Sequence, residues 1–299
     1  MKRNKQIFLQ FGICIVFISL VGIFINNLTI NLLRTGLGFN FSWLFKPASF
    51  ALAEHPLPYS SSDSYAWALF IGWLNSLKVI VSSLFLATML GSAIGFTRTG
   101  KNSLLRLISA GYITIIRQTP LLLQLMFWYF VGFLGLKDNI FLHIKDIFKI
   151  SNQGIELPGL ILSSEFSALL FGLTIFTSAY IAEVIRGGIL SVPKGQWEAF
   201  RSLGVSERKG LLSIIIPQAL PAIIPGLTSQ YLNLAKNSTL AIAVGYSDIY
   251  AINDTIINQT GRAIECFLIL LASFLFLNLL ISNSMEIINK IIINSRKYN

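Results

Sequence analysis

The run Ala66-Trp-Ala-Leu-Phe-Ile-Gly-Trp-Leu-Asn-Ser-Leu-Lys78-Val-Ile-Val-Ser-Ser-Leu-Phe-Leu-Ala-Thr-Met-Leu-Gly-Ser-Ala-Ile-Gly-Phe96 holds a single charge, Lys78. As a helix it is longer than the roughly 30 Å hydrocarbon layer of a bilayer needs. Comparable stretches lie on both sides of it: Ile7–Ile25, Ile108–Gly135, Phe166–Ile185, a Pro-broken stretch Ala219–Val244, and Cys266–Ile288. Together they predict an all-α, polytopic membrane bundle of about six transmembrane helices. Composition agrees. Of 299 residues 54% are apolar and 12% charged, with a mean hydropathy of +0.68; an ordinary soluble chain carries about 25% charged residues. A soluble fold would lack the polar side chains to cover its outside.

The net charge of +10 does not point to nucleic acid, because the cations fall in short clusters between apolar runs. Lys2, Arg3 and Lys5, then Arg98, Lys101 and Arg106, then Arg186, Lys194, Arg201, Arg208 and Lys209, then Lys290, Arg296 and Lys297 occupy alternate gaps. The intervening gaps hold only Arg34 and Lys46, then Lys137, Lys145 and Lys149, then Arg262. That asymmetry predicts that both termini are cytoplasmic. The first apolar run comes after three cations, as in a signal peptide, and Ala51-Leu52-Ala53 offers a small-residue cleavage site. A signal-peptide core runs about 7–15 residues and is cut soon after, so a retained first span fits better.

Built-in chemistry is hard to find. Cys14 and Cys266 sit inside apolar runs, and only His55 and His143 are present, so neither a disulfide framework nor a zinc site is expected. Gly95-Phe-Thr-Arg-Thr-Gly100-Lys101-Asn102 has P-loop spacing, but Asn102 replaces the Ser or Thr that holds magnesium and a helix precedes it. No nucleotide or other cofactor is expected in this chain; any ATP would be bound by a partner. Nucleophile-elbow and base–nucleophile patterns are also missing, so an enzyme is not expected.

Ser191 to Pro217 is too polar to span. Gln196 to Leu203 can form a short helix, Gly204 suits a left-handed helix end, and Ser206 can cap a second helix starting with Glu207, Arg208 and Lys209. Pro217 and Pro221 are expected to end or kink the next helix. Such a helix–turn–helix either docks into a partner or rests on lipid headgroups. Its residues carry a resemblance. Glu198-Ala199-Phe200, then Gly204, then Ile214-x-Ile216-Pro217 resembles the EAA loop of bacterial ABC importer permeases, with Phe200 in place of the second Ala and Ile216 in place of Leu. Arg117-Gln-Thr-Pro-Leu-Leu-Leu-Gln124, Ala179–Gln196 and Lys236-Asn-Ser-Thr-Leu240 are similar to stretches of the polar-amino-acid (histidine/glutamine) permeases. The additional first span and the long Asn26–Tyr65 segment resemble the larger general L-amino-acid permeases.

The resemblance implies a type I importer subunit divided into an N-terminal helix with its outward segment (1–65) and a permease domain (66–299) whose coupling loop covers about 191–217. It further implies a bacterial inner-membrane location, a cytoplasmic ATP-binding subunit, a periplasmic amino-acid-binding protein and a second permease subunit, identical or sister. Glu198, Ala199, Gly204, Ile214 and Pro217 would then couple to the ATPase. The substrate would be glutamate, glutamine, aspartate or L-amino acids generally.

Ionisable groups inside spans are functional candidates by default. Thr119-Pro120 should break its helix within the membrane, and Arg117 beside it can hold a substrate carboxylate or snorkel to a membrane face. Gln124 closes that motif. Tyr180 and Glu183 share a helical face, where Glu183 can take a substrate ammonium or pair locally with Arg186. Lys236 and Asn237, with Ser238 and Thr239, either line a pathway or tie helices together. Lys78 is expected to snorkel. The outward segment, with Glu54, His55 and three consecutive Ser, either meets the binding protein or is a solvated loop. A secondary amino-acid transporter, which needs no ATPase, is the alternative reading; it should carry an inverted repeat, and none is visible.

Overall fold

A computed structural model describes residues 2–34, 39–136, 142–144 and 148–295. Lys137, Lys145, Arg296 and Lys297, which enter the charge asymmetry, lie outside the described residues. Helix α1 (Lys2–Arg34) contains the first span, Gln10–Asn31, of which no part is buried against the rest of the chain. The segment after it is not a free loop. A short 3-10 turn at Ser42–Phe45 buries Trp43, Pro47 bridges to Ser64, and the Tyr59 hydroxyl donates to Phe50 O at 2.9 Å. Trp43 and Ala48 pack with Tyr65, Leu69, Ile252 and Cys266, so this strap is fastened to the bundle while Ser60 to Ser62 stay exposed. Its Glu54 accepts from Ser163 and lies 3.7 Å from Lys78 Nζ. Burial pushes the Glu54 carboxyl above its ordinary value, against the opposing pull of Lys78.

Helix α2 (Tyr65–Thr99) is capped by Ser64, whose hydroxyl accepts from Trp67 N. It lies along α5 (Ser164–Leu190). The seam uses Gly91-Ser-Ala-Ile-Gly95: a methyl group added at Gly91 would stand 2.7 Å from Ser178 O and from Ile181 Cβ, and one at Gly95 would stand 2.9 Å from Ala182 O. Helices in a membrane gain nothing hydrophobic by touching, so their attraction comes from the dispersion contacts that small residues permit.

Between these helices, α3 (Ser103–Gln118) and α4 (Leu121–Met126, continued to Leu136) meet at 104°. The break falls at Thr119-Pro120, where proline removes a donor. Gln124 Nε2 donates to the carbonyls of Ile116 and Thr119, each at 3.0 Å, and so satisfies backbone groups that the break frees. Leu125 packs on Gly172, and the Tyr129 hydroxyl donates to Glu165, so α4 climbs along α5 toward that helix's first turn.

Next in the chain is a four-stranded antiparallel sheet, in the order β1 (Leu142–Ile144), β2 (Phe148–Ser151), β3 (Gly154–Leu157), β4 (Leu160–Leu162). The all-α expectation omitted it. Lys149 faces Glu156 across β2 and β3 at 2.7 Å, and Ile155 packs with Phe133 and Ala168.

Beyond α5 come α6 (Lys194–Ser202), α7 (Glu207–Gly210), a wide π turn at Leu211–Ile215, and α8 (Ile216–Asn237). Pro217 does not end a helix; it sits in the first turn of α8, and Pro221 and Pro225 lie inside it. The first turn has no use for the missing N–H, and the π turn just before takes up the misfit. A 3-10 segment, Ser238–Val244, leads to α9 (Ile249–Thr260), capped by Asp248, and to α10 (Ala263–Ser295). Among the described residues, five helical segments are long and apolar enough to cross a membrane, and the α3–α4 pair makes a broken sixth.

Candidate functional site

The broken span sets up the first half of the site. The Arg117 guanidinium lies over the Tyr180 ring, 5.0 Å from its centre. Tyr180 is ten residues from the C-terminal end of α5, about 15 Å along the helix, and Arg117, itself exposed, meets it from the last turn of α3. Phe176 stacks obliquely on Tyr180 at 5.0 Å. Glu183 shares the Tyr180 face, but Arg186 Nε donates to its carboxylate at 2.9 Å, so the local pair forms.

Beside these rings is a cavity of about 230 Å³ lined by Phe176, Thr177, Tyr180, Gln230, Asn233 and Asn237. Its α8 wall is polar. Gln230, Asn233 and Lys236 follow one another at three-residue spacing, which puts them on one face with Asn237 beside them; Asn233 and Lys236 are exposed and Gln230 is half-buried. Polar side chains exposed along a segment apolar enough to cross a membrane do not fit a lipid-facing surface; they belong to a water-lined path or to a contact with another protein. Of the expected pathway residues, Tyr180 and Asn237 line the cavity, Arg117 stands behind the Tyr180 ring, and Lys236 shares the polar face. Thr119, Pro120 and Gln124 build the bend instead; the Thr119 hydroxyl donates to Ile115 O, and Gln124 is 7% exposed. Sequence reading missed Thr177, Gln230 and Asn233, although three carboxamides within eight residues of an apolar stretch were a readable signal.

The second half is the α6–α7 turn. Gly204 takes φ +69°, and Val205 N donates to Phe200 O at 3.1 Å, closing α6 as its sequence predicts. Ser206 stands at the cap position of α7 without a side-chain cap bond, unlike the expectation, because α7 is a single turn that passes directly into the π segment. Phe200 is 1% exposed and its ring lies against Gly210, where an added methyl would come within 2.5 Å. The bulk at Phe200 is therefore matched by the absence of a side chain at Gly210. Ile214 packs at the edge of the main core. Glu198 and Ala199 are exposed, and Leu203 at the tip is 80% exposed. Sequence reading missed Leu203, whose apolar side chain next to a left-handed glycine was the available clue. Glu207 gathers the charges: Arg201 Nε lies 2.9 Å away and Lys101 Nζ of the α2–α3 turn 2.7 Å. Among the described residues no three His, Cys, Asp or Glu side chains cluster as metal ligands would.

A bundle of membrane-length helices with a broken span, a part-polar cavity between α5 and α8, and an apolar-tipped helical turn has the layout of a transport permease. The chain belongs to the family described as binding-protein-dependent transport system inner membrane component, which it matches over residues 83–294. It is 32% identical to the putative amino-acid ABC transporter permease protein YhdX of Escherichia coli (strain K12), covering 91% of this chain and 90% of that one. It is 30% identical to the general L-amino acid transport system permease protein AapQ of Rhizobium johnstonii, covering 96% and 92%. Among solved structures, the crystal structure of an amino acid ABC transporter with histidines superimposes with a TM-score of 0.60 at 28% identity, covering 76% of this chain and 94% of that one. Membership implies an ATP-binding partner and a second permease subunit.

Proposed function

We propose that this chain is a permease subunit of an ATP-driven importer for polar amino acids: glutamate, glutamine and aspartate, or L-amino acids generally. The amino-acid permeases of Escherichia coli and Rhizobium supply the substrate class; the polar α8 face supplies a path for it. In this reading the α6–α7 turn is cytoplasmic, both termini lie on the same side, and the strap and sheet face a periplasmic amino-acid-binding protein. ATP is bound by the partner subunit, and this chain carries no cofactor. The permease domain corresponds to residues 66–299, with the N-terminal helix and strap as an appended unit.

The observation that carries the reading is the exposed Leu203 on the Gly204 turn, joined through three residues to α5 and through α7 and the π turn to α8, the helices that wall the cavity. Glu198, Ala199 and Leu203 would seat in the ATPase. The Phe200–Gly210 contact would keep α6 fixed to the base of α8, and Lys101–Glu207 would draw the α2–α3 turn along. Closure of the ATPase dimer would then move these helices as one body and open the cavity to alternate sides. Arg117 would hold a substrate carboxylate during that exchange.

The test is affinity purification of the detergent-solubilised chain expressed with its ATP-binding subunit, comparing wild type with Gly204→Asp by mass spectrometry. Recovery of the ATPase with wild type and its loss with the variant are expected. No ATPase with either chain would overturn the reading in favour of a secondary amino-acid transporter.

A further inference from the structure

The charges around the cavity are lopsided. Its six lining side chains comprise three carboxamides, one threonine, one tyrosine and one phenylalanine, with no carboxylate. Arg117 stands behind the Tyr180 ring at 5.0 Å, and Lys236 extends from the same α8 face as Gln230 and Asn233. Glu183 is near, but its carboxylate is engaged by Arg186. A guest in the cavity therefore meets no free carboxylate, two cations close behind its walls, and a row of groups that both donate and accept.

Carboxamides suit a side-chain amide or carboxylate, because each partner finds a donor and an acceptor where it needs them. They cannot neutralise an ammonium or guanidinium. Desolvating a cation without a counter-charge is strongly unfavourable, and fixed cations nearby add repulsion that a low-dielectric site screens poorly. Asn233 is the pivotal position. It is exposed, sits between Gln230 and Lys236 at three-residue intervals, and differs from Asp chiefly in charge.

We propose that the cavity, taken as the translocation pathway of the proposed function, is a side-chain charge filter. It admits amino acids with amide or carboxylate side chains and turns away those with cationic ones, with Asn233 as the specificity-determining residue. Selection here is distinct from whatever the binding protein imposes, because it acts on the substrate after release into the membrane domain.

The experiment is equilibrium binding of labelled L-glutamine, L-glutamate and L-arginine to the purified permease–ATPase complex, with no binding protein present. In wild type, arginine should bind at least tenfold more weakly than either of the other two. Asn233→Asp should narrow that gap about tenfold, whereas Asn233→Gln, which keeps the amide, should preserve the wild-type order. Lys236→Gln provides a second handle if Asn233→Asp does not elute as an intact complex; it should raise arginine binding severalfold relative to glutamine. Arginine binding to wild type as tightly as glutamine would overturn the filter and leave the pathway standing. Unchanged ratios in both Asn233→Asp and Lys236→Gln would overturn the role of this face. Binding of none of the three would overturn the filter together with the pathway reading, while ATPase recovery in the affinity test would still report on the permease assignment.

Discussion

Along the α2–α5 seam two backbones touch through Gly91 and Gly95, with no charged side chain between them. At the α6–α7 turn the chain is held by one left-handed glycine, one buried ring and a knot of charges around Glu207. The difference is one of solvent. Inside a bilayer, contact area between helices is gained only by close approach, so the seam is specified by what is absent from two positions. The exposed turn is specified by backbone conformation and one apolar pin, since exposed ion pairs add little. The seam should be intolerant of addition, and the turn tolerant of charge exchange but not of a changed backbone.

Substitution at the seam should do the most damage. Gly91→Val places branched carbons where Ser178 O already stands, and overpacking of this kind should lower stability by about 3 kcal/mol. Thermal unfolding of the detergent-solubilised chain measures it, and a variant as stable as wild type would show that the seam can spread. Gly204→Ala comes next. A β-carbon at φ +69° costs about 1 kcal/mol, read in the same unfolding assay; no shift would mean that the turn relaxes out of the left-handed region. Glu207→Gln should have the smallest effect, leaving the unfolding midpoint within error at physiological salt and shifting it only at low ionic strength. If it destabilised as much as Gly91→Val, the contrast between seam and turn would collapse.

Much of this architecture is written in the sequence, for reasons that differ from element to element. The spans were legible because hydropathy over some twenty residues leaves few alternatives, and the bend at Thr119-Pro120 because proline acts locally. Gly204 was legible because α6 needed a left-handed end and glycine supplies it. The sheet was not: strands of three or four residues are too short for alternation to register, and Ile155 is held by Phe133 and Ala168 from elsewhere in the chain. Helix α9 was missed for a similar reason, since its buried face depends on the strap and on α2. In the site, motifs marked Arg117, Tyr180 and Asn237, but only three-dimensional packing separates Gln124, which mends the bend, from Gln230 and Asn233, which face the cavity. Pro221 lies inside α8 without ending it, because a membrane-spanning helix tolerates proline where neighbouring groups take up the freed carbonyls.

Helix α1 buries none of its span against its own chain, whereas two thirds of the best apolar window of α5 is enclosed, at 67%. The consequence concerns assembly order. A helix that buries nothing against its own chain can be complete in the membrane without the later spans, and it precedes them in sequence. Helix α5 is only finished when α2, α4 and α8 have gathered around it. The chain thus matures from the outside inward, with its most independent segment first and its most dependent in the middle.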